Sequence, residues 1–136
     1  MAFTFTARAV GAETYEDDEC FIAGVAEHED GSGRQLTFMC SLYEPEDQDI
    51  ATGMDSYCLV TPGQGTAYGG VREAVLKDRV LRIVVDPANL EALRLNDAEI
   101  EVALDVEDAH IQRFREGLRR VLAYGRQSEW PTVLEL

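Results

Sequence analysis

The sequence predicts an α+β fold: a mostly antiparallel sheet of about seven strands, one long C-terminal amphipathic helix and one short helix. Three observations carry this. Apolar and polar residues alternate with period two in segments such as Phe3-Thr4-Phe5-Thr6-Ala7 and Glu99-Ile100-Glu101-Val102-Ala103-Leu104. Short turn signals separate most of these segments, so neighbours should pair as hairpins. A single long stretch, 107–124, carries a helical period instead.

The elements follow in order. Residues 3–9 read as one strand with a buried face, and an acidic loop covers 13–19. Residues 20–26, Cys-Phe-Ile-Ala-Gly-Val-Ala, are apolar on both faces and fit a central strand. Asp30-Gly31-Ser32-Gly33 is a turn. The strand after it directs Leu36, Phe38, Cys40 and Leu42 to one side, which predicts a hairpin with residues 20–26. Glu44 to Asp49 reads as a second acidic loop. Residues 56–61 form a short strand, Pro62-Gly63-Gln64-Gly65 a turn, and 68–76 with 80–85 a second hairpin. Asp86-Pro87 places a capping carboxylate before a proline, and so starts a short helix over about 88–93.

The long helix presents Ile111, Phe114, Leu118, Val121 and Leu122 as one stripe. Asp105 is the expected N-cap. Asp108 in the first turn and Arg119 and Arg120 in the last suit the helix dipole, and Gly125 suits the C-terminal end. Residues 127–136 form an extended tail. The 136 residues fit one domain, 1–136, large enough to bury a core without staples.

Charge is the strongest compositional signal. The formal net charge is −14, and residues 1–67 hold 13 acids against 2 bases, Arg8 and Arg34. Residues 68–136 hold 13 acids against 10 bases, so the excess lies in the first half. Such a field repels nucleic acid and anionic membranes and attracts basic partners. The arginines at 113, 115, 119 and 120 stand among acids, as on an ordinary helix surface. No apolar run approaches the roughly 18 residues of a membrane span. The start of the chain alternates like a strand and does not read as a signal peptide, so the expectation is a cytoplasmic protein.

Chemistry-bearing patterns are weak. Cys20, Cys40 and Cys58 lie in apolar strand segments without a CxxC pair, and read as reduced core thiols with no metal or cofactor expected. Gly63-x-Gly65-x-x-Tyr68-Gly69-Gly70 precedes a strand, so neither a dinucleotide nor a phosphate loop is expected. The acidic run at 44–49 lacks the central glycine of a calcium loop. His28 and His110 read as surface residues, and no nucleophile elbow or zinc-protease motif is present. No catalytic residues are assigned. The best partner-binding candidates are Glu16, Asp17, Asp18, Glu29, Asp30, Glu44, Glu46, Asp47 and Asp49. The alternative is a small-molecule binding domain or minor enzyme with Tyr68 and Arg72 near a pocket. Oligomeric state is left open by the sequence.

Several segments together resemble the immunity protein 10 family of bacterial polymorphic toxin systems. They are Asp17-Asp18-Glu19-Cys20-Phe21-Ile22, Gly24-Val25-Ala26-Glu27, Leu42-x-Glu44-Pro45-x-Asp47-Gln48-Asp49, Gly53-Met54-Asp55-x-Tyr57-Cys58, Tyr68-Gly69-Gly70-Val71 and Glu116-Gly117-Leu118-Arg119-Arg120-Val121-Leu122. The resemblance implies a protein that binds and neutralises a cognate toxin domain of the same cell. It carries no site residues with it. An acidic inhibitor facing the basic cleft of a toxin agrees with the charge asymmetry.

Overall fold

The computed structural model describes residues 3–52 and 55–136. Gly53 and Met54, part of one segment quoted above, lie outside the described residues, as do the first two positions of the chain. The order along the chain is β1 (Phe3–Ala7), β2 (Ala9–Tyr15), β3 (Cys20–Ala26), β4 (Gln35–Ser41), α1 (Asp47–Thr52), β5 (Cys58–Val60) and β6 (Thr66–Tyr68). It continues with β7 (Val71–Lys77), β8 (Val80–Val85), β9 (Glu99–Leu104), α2 (Asp108–Leu122) and β10 (Val133–Glu135).

The class is α+β, but the strands form two five-stranded sheets and not one of seven. Sheet I has the order β1-β9-β8-β7-β10, and sheet II the order β2-β3-β4-β5-β6. Pairing is mostly antiparallel; β1 with β9 and β10 with β7 are the parallel pairs. Two corners make the difference. Arg8 alone separates β1 from β2, and the inward side chains change there from Phe5 and Ala7 to Ala12. A slip of one position sends the chain to the other sheet while the alternation continues. The second corner is Gly69-Gly70, with φ of +76° and +87°. Residues 68–76 are therefore two strands in different sheets. Positive φ is open to glycine at no steric cost, and an added side chain on Gly70 would collide with Asn89.

The two expected hairpins are present. β3 and β4 pair in register from Cys20↔Ser41 to Ala26↔Gln35. β7 and β8 turn through Asp78 and Arg79, whose φ values of +53° and +65° match a two-residue primed turn. In β9, Ile100, Val102 and Leu104 point inward as the alternation predicts.

The helices depart from expectation in detail. Residues 47–52 form α1 where a loop was expected. Glu46 begins it, and the Asp49 carboxylate accepts the Glu46 N–H at 2.9 Å. The expected helix at 88–93 is only a single 3-10 turn, Pro87–Asn89. Its Asp86 cap is as predicted, since the carboxylate accepts the Ala88 N–H at 2.9 Å. The N-cap position of the long helix is Glu107 and not Asp105, and the Glu107 side chain makes no capping hydrogen bond.

The core is one continuous cluster that joins the inner faces of both sheets to the α2 stripe. Ile111, Phe114, Leu118, Val121 and Leu122 are all buried, and α2 lies across β2, β3 and β4. Each such side chain contributes about 1.5–3 kcal/mol when fully removed from water. Gly117 faces the same way. A Cβ there would stand 2.5 Å from Ala12 Cβ and 3.2 Å from the Phe21 ring, so the glycine sets how closely helix and sheet approach. Tyr57 is fully buried. Its hydroxyl donates to the Glu129 carbonyl at 2.7 Å and accepts the Val71 N–H at 2.9 Å, which binds β7 and the tail to the strand region of β5.

Candidate functional site: an acidic, aromatic end of sheet II

Register decides which acids share a surface. Tyr15, Cys20 and Ser41 are paired neighbours at one end of sheet II, and Cys58 pairs with Tyr68 at that same end. The loop carrying Glu16, Asp17 and Asp18 leaves from Tyr15. The segment carrying Glu44, Glu46, Asp47 and Asp49 leaves from Ser41. Leu42 N–H donates to the Glu19 carbonyl at 3.0 Å and joins the two. Glu29 and Asp30 lie in the β3–β4 turn, at the other end of seven-residue strands, about 20 Å away.

The nine candidates thus divide into seven near and two far. Eight are exposed and Asp49 is half-buried. Among the described residues none of the nine forms an ion pair, whereas both bases of the first half are occupied. Arg8 sits 3.8 Å from Asp105, and Arg34 2.6 Å from Glu27. Among the described residues the near acids therefore carry their charge without an ion-pair partner. Three of the nine do structural work. Asp30 accepts both the N–H and the hydroxyl of Ser32, which holds its carboxyl below the ordinary range and fixes the turn. Asp49 and Glu46 begin α1.

The near end is also where apolar side chains reach solvent. Among the described residues the large exposed apolar side chains are Tyr15, Tyr43, Ile50, Tyr68, Val80 and Leu134. The first four of these belong to the near end. Aromatic residues amid a polar rim are the usual composition of a protein-binding surface. The sequence reading missed Tyr15, Tyr43 and Ile50, because no periodicity marks a side chain at the end of a strand or on a short helix.

A cleft of about 250 Å³ opens here. Glu19, Asp49, Tyr68 and Tyr124 line it together with Ser41, Ser56, Met39 and all three cysteines. Cys40 and Cys58 are buried, Cys20 is half-buried, and all are free thiols. Burial pushes each thiol up, with Asp18 adding to the effect at Cys20. Such thiols are poor nucleophiles. Among the described residues no group of three or more histidine, cysteine or acidic side chains is arranged to hold a metal ion. No helix of the described residues is long and apolar enough to cross a membrane. Tyr68 reaches the cleft, but Arg72 does not. Arg72 belongs to sheet I, where its guanidinium bonds Asp86 at 2.5 Å, and it does not line this cleft with Tyr68.

A family model described as Immunity protein 10 matches residues 6–112. The chain belongs to that family. The matched stretch holds all nine candidate acids and sheet II in full, and it ends within α2. Neither the curated proteins nor the solved structures give a match. Membership in the Immunity protein 10 family links the chain to toxin immunity; the acidic end supplies a surface on which that role can be examined.

Proposed function

We propose that this chain is an immunity protein that binds a cognate polymorphic toxin domain in the cytoplasm and neutralises it through the acidic end of sheet II. The observation that carries the reading is the coincidence, on one end of the molecule, of four exposed apolar side chains with seven acids that form no ion pair among the described residues. Charge of one sign steers a basic partner into encounter, and exposed aromatics hold it after contact. The action is stoichiometric and not enzymatic.

Glu29 and Asp30 fit the same footprint as peripheral members. An interface of standard size covers about 800 Å² per partner, or roughly 30 Å across, and so reaches both ends of a seven-residue strand. Their distance from the aromatic cluster assigns them to the rim, where charges affect association rate more than lifetime.

Where the adjacent gene encodes a secreted toxin, the test is co-expression with that toxin's effector domain, followed by a pull-down of the two purified proteins. The wild-type chain should restore growth and capture the domain. A chain with Lys at 16, 17, 18, 44 and 47 should bind it far more slowly at low salt. Growth protection without any physical complex would sink the reading.

A further inference from the structure

Pockets that hold drug-sized ligands run from about 300 to 1,000 Å³. The cleft at the acidic end, at about 250 Å³, is nearer the scale of one inserted side chain. Its inner surface holds an unusual group. Ser56 is 4% exposed, and its Oγ has no hydrogen-bond partner among the described residues. Buried hydroxyls almost always have partners, so one without a described partner in the lining of a cleft points to a donor or acceptor supplied from outside.

The remaining lining specifies the charge of the visitor. Glu19 and Asp49 contribute carboxylates, and Tyr68 and Tyr124 contribute aromatic rings. The Tyr124 hydroxyl is already committed to the Tyr43 carbonyl at 2.7 Å, which fixes the ring in place. Arg120 approaches the same region but does not line the cleft; its guanidinium lies 4.3 Å from the Phe21 ring centroid. Acids beside aromatic faces favour a cation, and a planar guanidinium can stack on a ring while donating to carboxylates.

We infer that this cleft receives one arginine side chain of the toxin domain, with Glu19 and Asp49 as acceptors, Tyr68 and Tyr124 as its walls and Ser56 Oγ as the inner acceptor. The inference rests on the toxin-binding reading, and it makes the cleft the anchor point of the complex. Interfaces concentrate their energy in a few such desolvated anchors.

The free chain permits a test that does not need the toxin. The probe is N-acetyl-arginine-amide, with N-acetyl-citrulline-amide as its neutral isostere, titrated into labelled protein and followed by NMR. The amides of Ser56, Cys58 and Tyr68 should shift with the arginine compound and bind it about tenfold more tightly than citrulline, as a cation–π and ion-pair preference implies. Glu19→Gln should weaken those shifts, and Asp49→Asn should do so where α1 still forms. Equal responses to both compounds, or none at these amides, overturn the inference.

A second arm uses the neighbouring-gene effector domain. Glu19→Gln and Tyr68→Ala should each raise its Kd at least tenfold, and bound domain should shield Cys20 from iodoacetamide. Unchanged Kd with both variants removes the cleft from the interface and leaves the immunity reading intact. If the wild-type chain fails to bind the domain at all, the immunity reading falls, and the arginine titration still decides whether the cleft selects a cation.

Discussion

Leu42 donates its backbone N–H to the carbonyl of Glu19 at 3.0 Å, and this bond fastens two acidic segments that are far apart in sequence. It carries the chain from the end of β4 alongside the β2–β3 loop. The acids on both sides then act as one field. The bond extends the Cys20↔Ser41 pairing by one position and keeps the 16–19 loop beside the 44–49 segment, on a scale comparable with the screening length of about 10 Å at 0.1 M.

The near and far acids should therefore differ in kinetics. Reversing Glu16, Asp17 and Asp18 to Lys should slow association with the effector domain by about tenfold to a hundredfold at low salt, an effect that shrinks as salt rises. Reversing Glu29 alone should change association much less. Stopped-flow association across a salt series separates the two, and equal slopes for both variants would contradict the division.

Tyr57→Phe should be costly although it removes one oxygen. Val71 is fully buried, and its N–H would lose its acceptor, while Glu129 would lose its donor. Stranding a buried backbone donor costs about 1–3 kcal/mol. Urea unfolding should show the loss as a lower midpoint with an unchanged slope.

Gly117→Ala tests two opposed effects in one position. Alanine is better in a helix by about 0.8–1 kcal/mol, but the new Cβ would press on Ala12 Cβ at 2.5 Å, where neither partner can rotate away. Overpacking of this kind costs typically 1–3 kcal/mol. Packing should win, and thermal melting should show net destabilisation. An increase in Tm would mean that α2 can shift outward freely.

Glu27 offers a pH test. Its carboxylate accepts the side chain and the backbone N–H of Arg34, which lowers its pKa to about 2 from the ordinary 4.5. A folded-state pKa below the unfolded value means that the pair favours folding above pH 4.5. That contribution fades as pH falls from about 4.5 towards about 2. Carbonyl NMR should follow a Glu27 midpoint near 2, and Arg34→Gln should return it toward 4.5.

Much of this architecture was legible in the residues, for reasons that also explain the remainder. The β3–β4 hairpin, β9 and the α2 stripe were readable because a buried face imposes its period on every second or every third and fourth residue. The division into two sheets was hidden because alternation continues through a corner. Only the phase slip at Arg8, from Phe5 and Ala7 to Ala12, records it, together with the paired glycines at 69 and 70. The acids were visible as a charge excess, but their separation into ends depends on register. Tyr43, Ile50, Ser56 and Tyr124 became site residues only by three-dimensional convergence. Gly117 stands in a segment that resembles the family, while its close approach to Ala12 requires the packed helix.

The parallel pairing of β1 with β9 has a consequence for the protein's birth on the ribosome. Phe3 must wait for Ile100 before its edge of sheet I exists, and Val133 must emerge before β7 gains its outer neighbour. The hairpin of β3 and β4 needs only residues up to 41. Long-range pairings of this kind form slowly, since the intervening chain must first be confined. The acidic loops are thus translated before β9 and β10, beside a nascent sheet that stays unsealed until both of those strands have emerged.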